Sequence, residues 1–325
     1  MKYTSKYLSY LGLSLAVFLT GCNTASLHVP YKLDSDVSAF SITNHNTDVK
    51  IDAFASSLCV GNANILSGTS VSMEDATAAA LFDVNNANII YGKNIHERLA
   101  PASLTKILTA LIALEEGNLD DVIIVTKEAN ITESGATVCG LKEGDTLTLN
   151  QALHALLIHS ANDAANAIAI HLGKSLEGFS DMMNDKAKEL GATNSHFVNP
   201  HGLTADDHYT TAYDLYLIFN KVIGYELFRE IIHMDSYSTI FQDSAGREKE
   251  MQFKSTNLFL RGNYNSPNKV TVIGGKTGST NAAGNCLIIL SKDTSGNPYI
   301  SVILRSKERQ LMYEQMIDLL EEIYN

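Results

Sequence analysis

Basic residues are in short supply: 24 Lys and Arg stand against 36 Asp and Glu, for a net charge of −12. So acidic a chain lacks the basic stripe that nucleic-acid binding needs and the basic patch that holds a protein to anionic lipid. Cysteine is scarce too. Of the four present, setting Cys22 aside leaves Cys59, Cys139 and Cys286, an odd number that closes at most one bridge and excludes a disulfide framework. The apolar run from Leu8 to Thr20 is too short to cross a bilayer comfortably, and no internal repeat of solenoid period is present. What the chain does have is 45% hydrophobic content, enough in roughly 300 residues to bury a sizeable core as one large domain or one domain in two lobes.

Lys2 and Lys6 precede that apolar run, and together they read as an export signal. The run ends in Leu19-Thr20-Gly21-Cys22, which resembles the lipobox of bacterial lipoproteins. The resemblance implies a signal peptide over residues 1–21 and a diacylglycerol on Cys22, at the extracytoplasmic face of a bacterial membrane. A doubly acylated residue anchors stably where a single chain does not. From residue 22 to 70 the composition is rich in Ser, Asn, Asp, Thr and Ala without sustained periodicity, which reads as a largely flexible tether, with a short piece around Phe54 to Val60 able to pack on the body.

The folded domain is expected over residues 71–325. Ala78–Val84 and Ile89–Tyr91, separated by Asn85-Asn86-Ala87-Asn88, read as a hairpin. Leu104, Ile107, Leu108, Leu111 and Ile112 have the spacing of a buried helix that opens at Pro101 and ends near Gly117. Further helices are signalled at Asn150–His159, Asp163–Leu172, Ser175–Leu190 and Thr211–Val222, and strands return at Val270–Ile273, Asn285–Ser291 and Tyr299–Leu304 before a last helix from Glu308 to Ile323. Strands, then helices, then strands and a helix give an α+β class: one antiparallel sheet flanked by helices, with a helical lobe.

Three short motifs carry chemistry. Serine is a poor nucleophile until a base stands beside it, and residues three apart share a helix face, so Ser103 and Lys106 can meet near a helix start whose free N–H groups favour developing negative charge. Apolar walls would help keep Lys106 neutral. The spacing alone is weak, since it recurs at Ser266 and Lys269 in a polar loop. Ser160-Ala161-Asn162 falls between two helices, the second of which Asp163 is placed to cap. Gly274-Gly275-Lys276-Thr277-Gly278 follows a strand, where glycines admit a ligand's backbone, Lys276 supplies fixed positive charge and Thr277 a hydroxyl. Singly, each motif has an ordinary structural explanation.

In this order, on helix, interhelical turn and strand, the three resemble the signature of penicillin-binding proteins and serine β-lactamases. The text around them, Pro101-Ala102-Ser103-Leu104-Thr105-Lys106, Ser160-Ala161-Asn162-Asp163, Phe197-Val198-Asn199-Pro200-His201-Gly202-Leu203 and His208-Tyr209-Thr210-Thr211-Ala212, is similar to the low-molecular-mass D-alanyl-D-alanine carboxypeptidases. The resemblance implies Ser103 as nucleophile, Lys106 as its base and Ser160 as proton relay. It further implies that Asn162 holds the substrate backbone, that Lys276 and Thr277 engage a terminal carboxylate beside Gly278, and that the N–H groups of Ser103 and Ser279 form an oxyanion hole. The implied partners are peptidoglycan stem peptides, with β-lactam antibiotics as covalent inhibitors.

Many relatives carry an aromatic or histidine where Ser279 stands. Relatives also tend to place an arginine at the start of the last helix, where alignment on its leucines puts Met312, leaving Arg305 or Arg309 as substitutes. Cys22 would take over the anchoring that many relatives give to a C-terminal amphipathic segment. Three rival readings remain: an endopeptidase on D-alanine cross-links, a β-lactamase, for which the stretch Asn199–Asp214 offers no deacylating glutamate, and a non-catalytic sensor, which the intact Ser103, Lys106, Ser160 and Lys276 argue against. No cofactor is implied. His154, His159 and His171 have no partners at metal-ligand spacing, so no metal is predicted.

Overall fold

The computed structural model describes residues 42–44, 47–51, 55–65 and 71–324; Cys22 and the signal peptide expected over 1–21 lie outside the described residues, as does most of the 22–70 tether. Two units are distinguished, residues 1–54 and 55–325. In the first, β1 (Ile42–Asn44) pairs antiparallel with β2 (Thr47–Ile51).

The second unit is built on a five-stranded sheet in the order β4-β3-β11-β10-β9, all neighbours antiparallel: β3 (Ala78–Asp83), β4 (Asn88–Lys93), β9 (Thr271–Thr280), β10 (Gly284–Lys292) and β11 (Pro298–Ser306). Its strands are apolar on both faces because each face is covered. Ala78, Ala80, Phe82, Ile288, Val302 and Leu304 face one core, while Leu81, Leu287, Ile289 and Ile303 face another, closed by Met312, Met316 and Leu319 of the C-terminal helix. Alternation along each strand therefore feeds two cores instead of one core and solvent.

The first core holds the helical lobe. Its central helix, α1 (Lys106–Glu116), is buried all round from Lys106 to Ala113, and Gly117 follows its last turn as its spacing predicts. Next come α2 (Leu149–His154), opened by a Thr148/Gln151 capping box, α3 (Asn162–Gly173), α4 (Leu176–Glu189) with Ser175 as cap, α5 (Ala212–Val222) with Thr211 as cap, and α6 (Glu226–His233). The chain closes with α7 (Arg309–Glu321).

Three expectations need correction. The sheet is not alone: β5 (Val122–Ile124), β6 (Thr146–Thr148), β7 (Ser236–Gln242) and β8 (Glu248–Lys254) form a second antiparallel sheet. Two of these strands are three residues long, and the other two are mostly polar outside Phe241, Met251 and Phe253, so their apolar signal is thin. The body begins before Val71. Cys59 is buried in the first core, its N–H donating to the Tyr216 hydroxyl (3.0 Å) and its carbonyl accepting from Tyr213 (2.7 Å), and Ile65 bridges to Gly92. Finally, Asp163 does not cap α3, whose N-cap is Ala161 without a side-chain bond; its carboxylate turns to a neighbouring loop instead. Cys59, Cys139 and Cys286 are all free thiols.

Candidate active site

Ser103 lies in a 3-10 turn, Ala102–Thr105, that leads directly into α1. In 3-10 geometry residues three apart eclipse one another, which stacks Ser103 over Lys106 more directly than an α-helix would. Lys106 Nζ is 2.9 Å from Ser103 Oγ, 2.6 Å from Asn162 Oδ1 and 2.7 Å from the His201 carbonyl. The turn sits in a tight socket. Ala102 has φ of 48°, and a Cβ on Gly278 would lie 2.8 Å from the Ser103 nitrogen. The glycines of this motif therefore make room for the protein's own backbone as well: Gly278 for the Ser103 turn and Gly274 for the Ile232 carbonyl.

Ser160 closes the π-helical turn Ala155–His159 with φ of 65°, a left-handed kink that ends the helix and aims the hydroxyl back toward β9. Its Oγ accepts from Lys276 Nζ at 2.8 Å, and Lys276 also donates to the Thr277 carbonyl at 2.8 Å. Thr277 Oγ1 bonds Thr256 Oγ1 at 2.7 Å. All of the motif residues thus converge on one place.

Electrostatics separate the two lysines from ordinary ones. Lys106 and Lys276 are 0% and 1% exposed. Burial, reinforced by the Lys276 charge and opposed by Asp163, pulls the Lys106 ammonium well below the usual lysine range. Burial brings Lys276 down to about 7. Lys276 does not border the open cleft; its Nζ donates behind the wall to Ser160 and the Thr277 carbonyl.

The open part of the site is a cleft of about 310 Å³ bordered by Ser103, Ser160, Thr277 and Ser279, with Arg261 and Arg309 also on its wall. At Ser279 and Asn285 it meets a wider depression flanked by Glu133–Ala136 and Thr280–Ala282. Arg309 lines the cleft from the start of α7 and Met312 borders it one turn on, whereas Arg305 lines a separate depression. Sequence reasoning passed over Thr256, Thr137 and Arg261 on the cleft wall and the His201 carbonyl behind Lys106. The Ser255-Thr256-Asn257 tripeptide was visible, but only the fold sets Thr256 against Thr277. The helical histidines serve packing: His154 stacks on Tyr237, His159 on Phe253, and His171 pairs with Asp121 at 3.2 Å.

The sequence profile of the D-alanyl-D-alanine carboxypeptidases, peptidase family S11, matches residues 67–308. The chain belongs to this family. Among D-alanyl-D-alanine carboxypeptidases it is 32% identical over 255 residues to DacF of Bacillus subtilis, covering 77% of this chain and 63% of DacF. It is 32% identical over 256 residues to DacC of Escherichia coli, covering 76% and 60%. The chain thus spans somewhat under two thirds of the length of these two carboxypeptidases. The Streptomyces K15 DD-transpeptidase superposes with a TM-score of 0.72 at 26% identity, over 78% of this chain and 98% of that one.

Proposed function

We propose that the protein is a D-alanyl-D-alanine carboxypeptidase that removes the terminal D-alanine from peptidoglycan pentapeptide stems through a Ser103 acyl-enzyme. The observation that carries this reading is the set of partners around Lys106. Asn162 Oδ1 and the His201 carbonyl can only accept, so they fix two N–H bonds; Ser103 Oγ alone can donate in return. A neutral amine so held presents its lone pair to the serine hydroxyl, and burial favours the neutral amine.

In this reading Ser103 Oγ attacks the carbonyl between two D-alanines as its proton passes to Lys106, and the oxyanion is held by the N–H groups of Ser103 and Ser279. Ser160, backed by Lys276, relays a proton to the leaving amine, D-alanine departs, and water hydrolyses the acyl-enzyme. The stem would run past Ser279 into the wider depression, with its free carboxylate toward Thr277, Arg309 and Arg261. β-Lactams would acylate the same serine. We place the protein at the extracytoplasmic face of the membrane, held by a lipid on Cys22, a reading supported by the Leu19–Cys22 sequence.

The test is cleavage of the terminal D-Ala–D-Ala bond, read as D-alanine release from a pentapeptide stem and as D-alaninamide release from the same stem amidated at its terminus. A hydrogen bond to a charged carboxylate contributes about 1.5–3 kcal/mol, so amidation should lower kcat/KM roughly 10- to 150-fold. Thr277→Val should slow the free acid and add little on the amide, since both changes remove one contact. Ser103→Ala should release nothing and take up no fluorescent penicillin. Equal turnover of free acid, amide and a cross-linked dimer would replace the carboxypeptidase with an endopeptidase.

A further inference from the structure

Asp163 follows Asn162 directly and is 3% exposed, yet it touches none of the reacting groups. Its carboxylate collects donors from one stretch of loop: Cys139 N–H at 3.0 Å, Gly140 N–H at 2.8 Å, Leu141 N–H at 3.0 Å and the Cys139 thiol at 3.3 Å, with the Ala164 N–H at 3.0 Å. Three successive backbone N–H groups converging on one anion form a nest, and Gly140 at φ of 84° supplies its left-handed residue. The rest of the stretch is tied to the same corner. Asn162 N–H donates to the Thr137 carbonyl at 2.8 Å, and the His159 ring lies 3.2 Å from the Val138 carbonyl. Residues 130–145 contain no strand or helix, so these contacts stand in for a ladder. Thr137 lines the catalytic cleft.

We propose that Asp163 is a positioning residue: by filling the 139–141 nest it latches the cleft wall at Thr137 to the start of α3, fixes the main chain of Asn162, and sets a negative charge behind Lys106. The inference rests on the carboxypeptidase reading above and adds a residue to it. The charged and titratable groups that bear on Lys106 are Lys276 from β9, Asp163 from α3 and His201 from the loop beyond α4. Lys276 and burial favour the neutral amine, and Asp163 alone favours the ammonium. Removing the carboxylate should therefore lower the pH at which Lys106 becomes a base.

The experiment measures acylation by a fluorescent penicillin and D-alanine release between pH 5 and 9 for wild type, Asp163→Asn and Gly140→Ala. Loosening a catalytic wall by an ångström costs on the order of 100-fold, so both variants should slow acylation by about 10- to 100-fold. Only Asp163→Asn should also move the acid limb of the profile to lower pH, because Gly140→Ala strains the nest without changing charge. An Asp163→Asn protein that acylates at the wild-type rate with its acid limb in place overturns the proposal. Should that variant fail to fold, folded Gly140→Ala decides: wild-type acylation there overturns it equally. Wild-type protein that neither binds penicillin nor releases D-alanine would sink the underlying activity instead, and the two failures are read from different samples.

Discussion

Of the three groups that take hydrogen bonds from Lys106, two have no proton to give, and that asymmetry, more than the Ser-x-x-Lys spacing, singles out Ser103. The same reasoning fixes the tautomer of a histidine behind Ser103. His208 Nδ1 accepts from the Val198 N–H at 3.0 Å, so its proton sits on Nε2, which donates to Thr105 Oγ1 at 2.9 Å; Thr105 in turn donates to the Ala102 carbonyl beside Ser103. Burial first, and the nearby His196 second, lower the His208 pKa to about 4, and His201 falls to about 3 through burial, Lys106 and His208. Both folded values lie below the ordinary 6.5, so as pH falls the unfolded chain takes up protons first and stability is lost between about pH 6.5 and 3. His208→Asn should flatten the dependence of unfolding free energy on pH by up to ~1.4 kcal/mol per pH unit in that window. Urea melts at pH 4, 5, 6 and 7 check this; an unchanged slope would mean that the histidine takes up its proton alike in the folded and unfolded chain.

Among elements, β9 does most to organise the site, since one strand backs the Ser103 turn through Gly278, reaches Ser160 through Lys276 and presents Thr277 to the cleft. Gly278→Ala should act on geometry rather than stability: its Cβ would meet backbone at the Ser103 nitrogen, 2.8 Å away, and the turn must shift. Penicillin acylation should drop by about 100-fold while the melting temperature changes by only a few degrees. A variant that acylates normally would show that the socket has slack. The elements read well from sequence where burial was one-sided or complete: α1, α3, α4 and α5 lie within a few residues of their apolar spacing, and β10 and β11 match their apolar runs. The second sheet did not, because β5 and β6 hold three residues each and the polar faces of β7 and β8 look like loop. The expected strand at Val270–Ile273 was too short, since β9 continues through the glycines to Thr280.

At the scale of the molecule, five strands and α7 form one layer system and the helical lobe the other, and the motif residues come from both: Ser103 from the 3-10 turn that opens the lobe's central helix, Lys106 from that helix's first turn, Lys276 and Thr277 from the sheet. No described helix is long and apolar enough to cross a membrane. The proposed attachment is the lipid on Cys22. Cys22→Ala should move the protein from the membrane fraction to the soluble one, checked by fractionation and immunoblot with palmitate labelling lost in parallel. Retention in the membrane fraction by the variant would refute the lipid anchor.

The sequence by itself determined the order and local setting of the three motifs, the α+β class and the helices of the lobe other than α6, because these depend on residues close in the chain: a lysine one turn from a serine, a turn between helices, glycines at a strand. Tertiary structure decided which of those residues meet and in what state. It set Lys276 against Ser160, lowered both lysines by burial, with the Lys276 charge adding to the effect on Lys106, and brought Thr256, Thr137 and the His201 carbonyl to the site. It also turned Asp163 from the expected helix cap to the anchor of a loop more than twenty residues earlier. Contacts of that kind depend on how the lobe and sheet close around a common core, and local sequence carries no periodic signal for them.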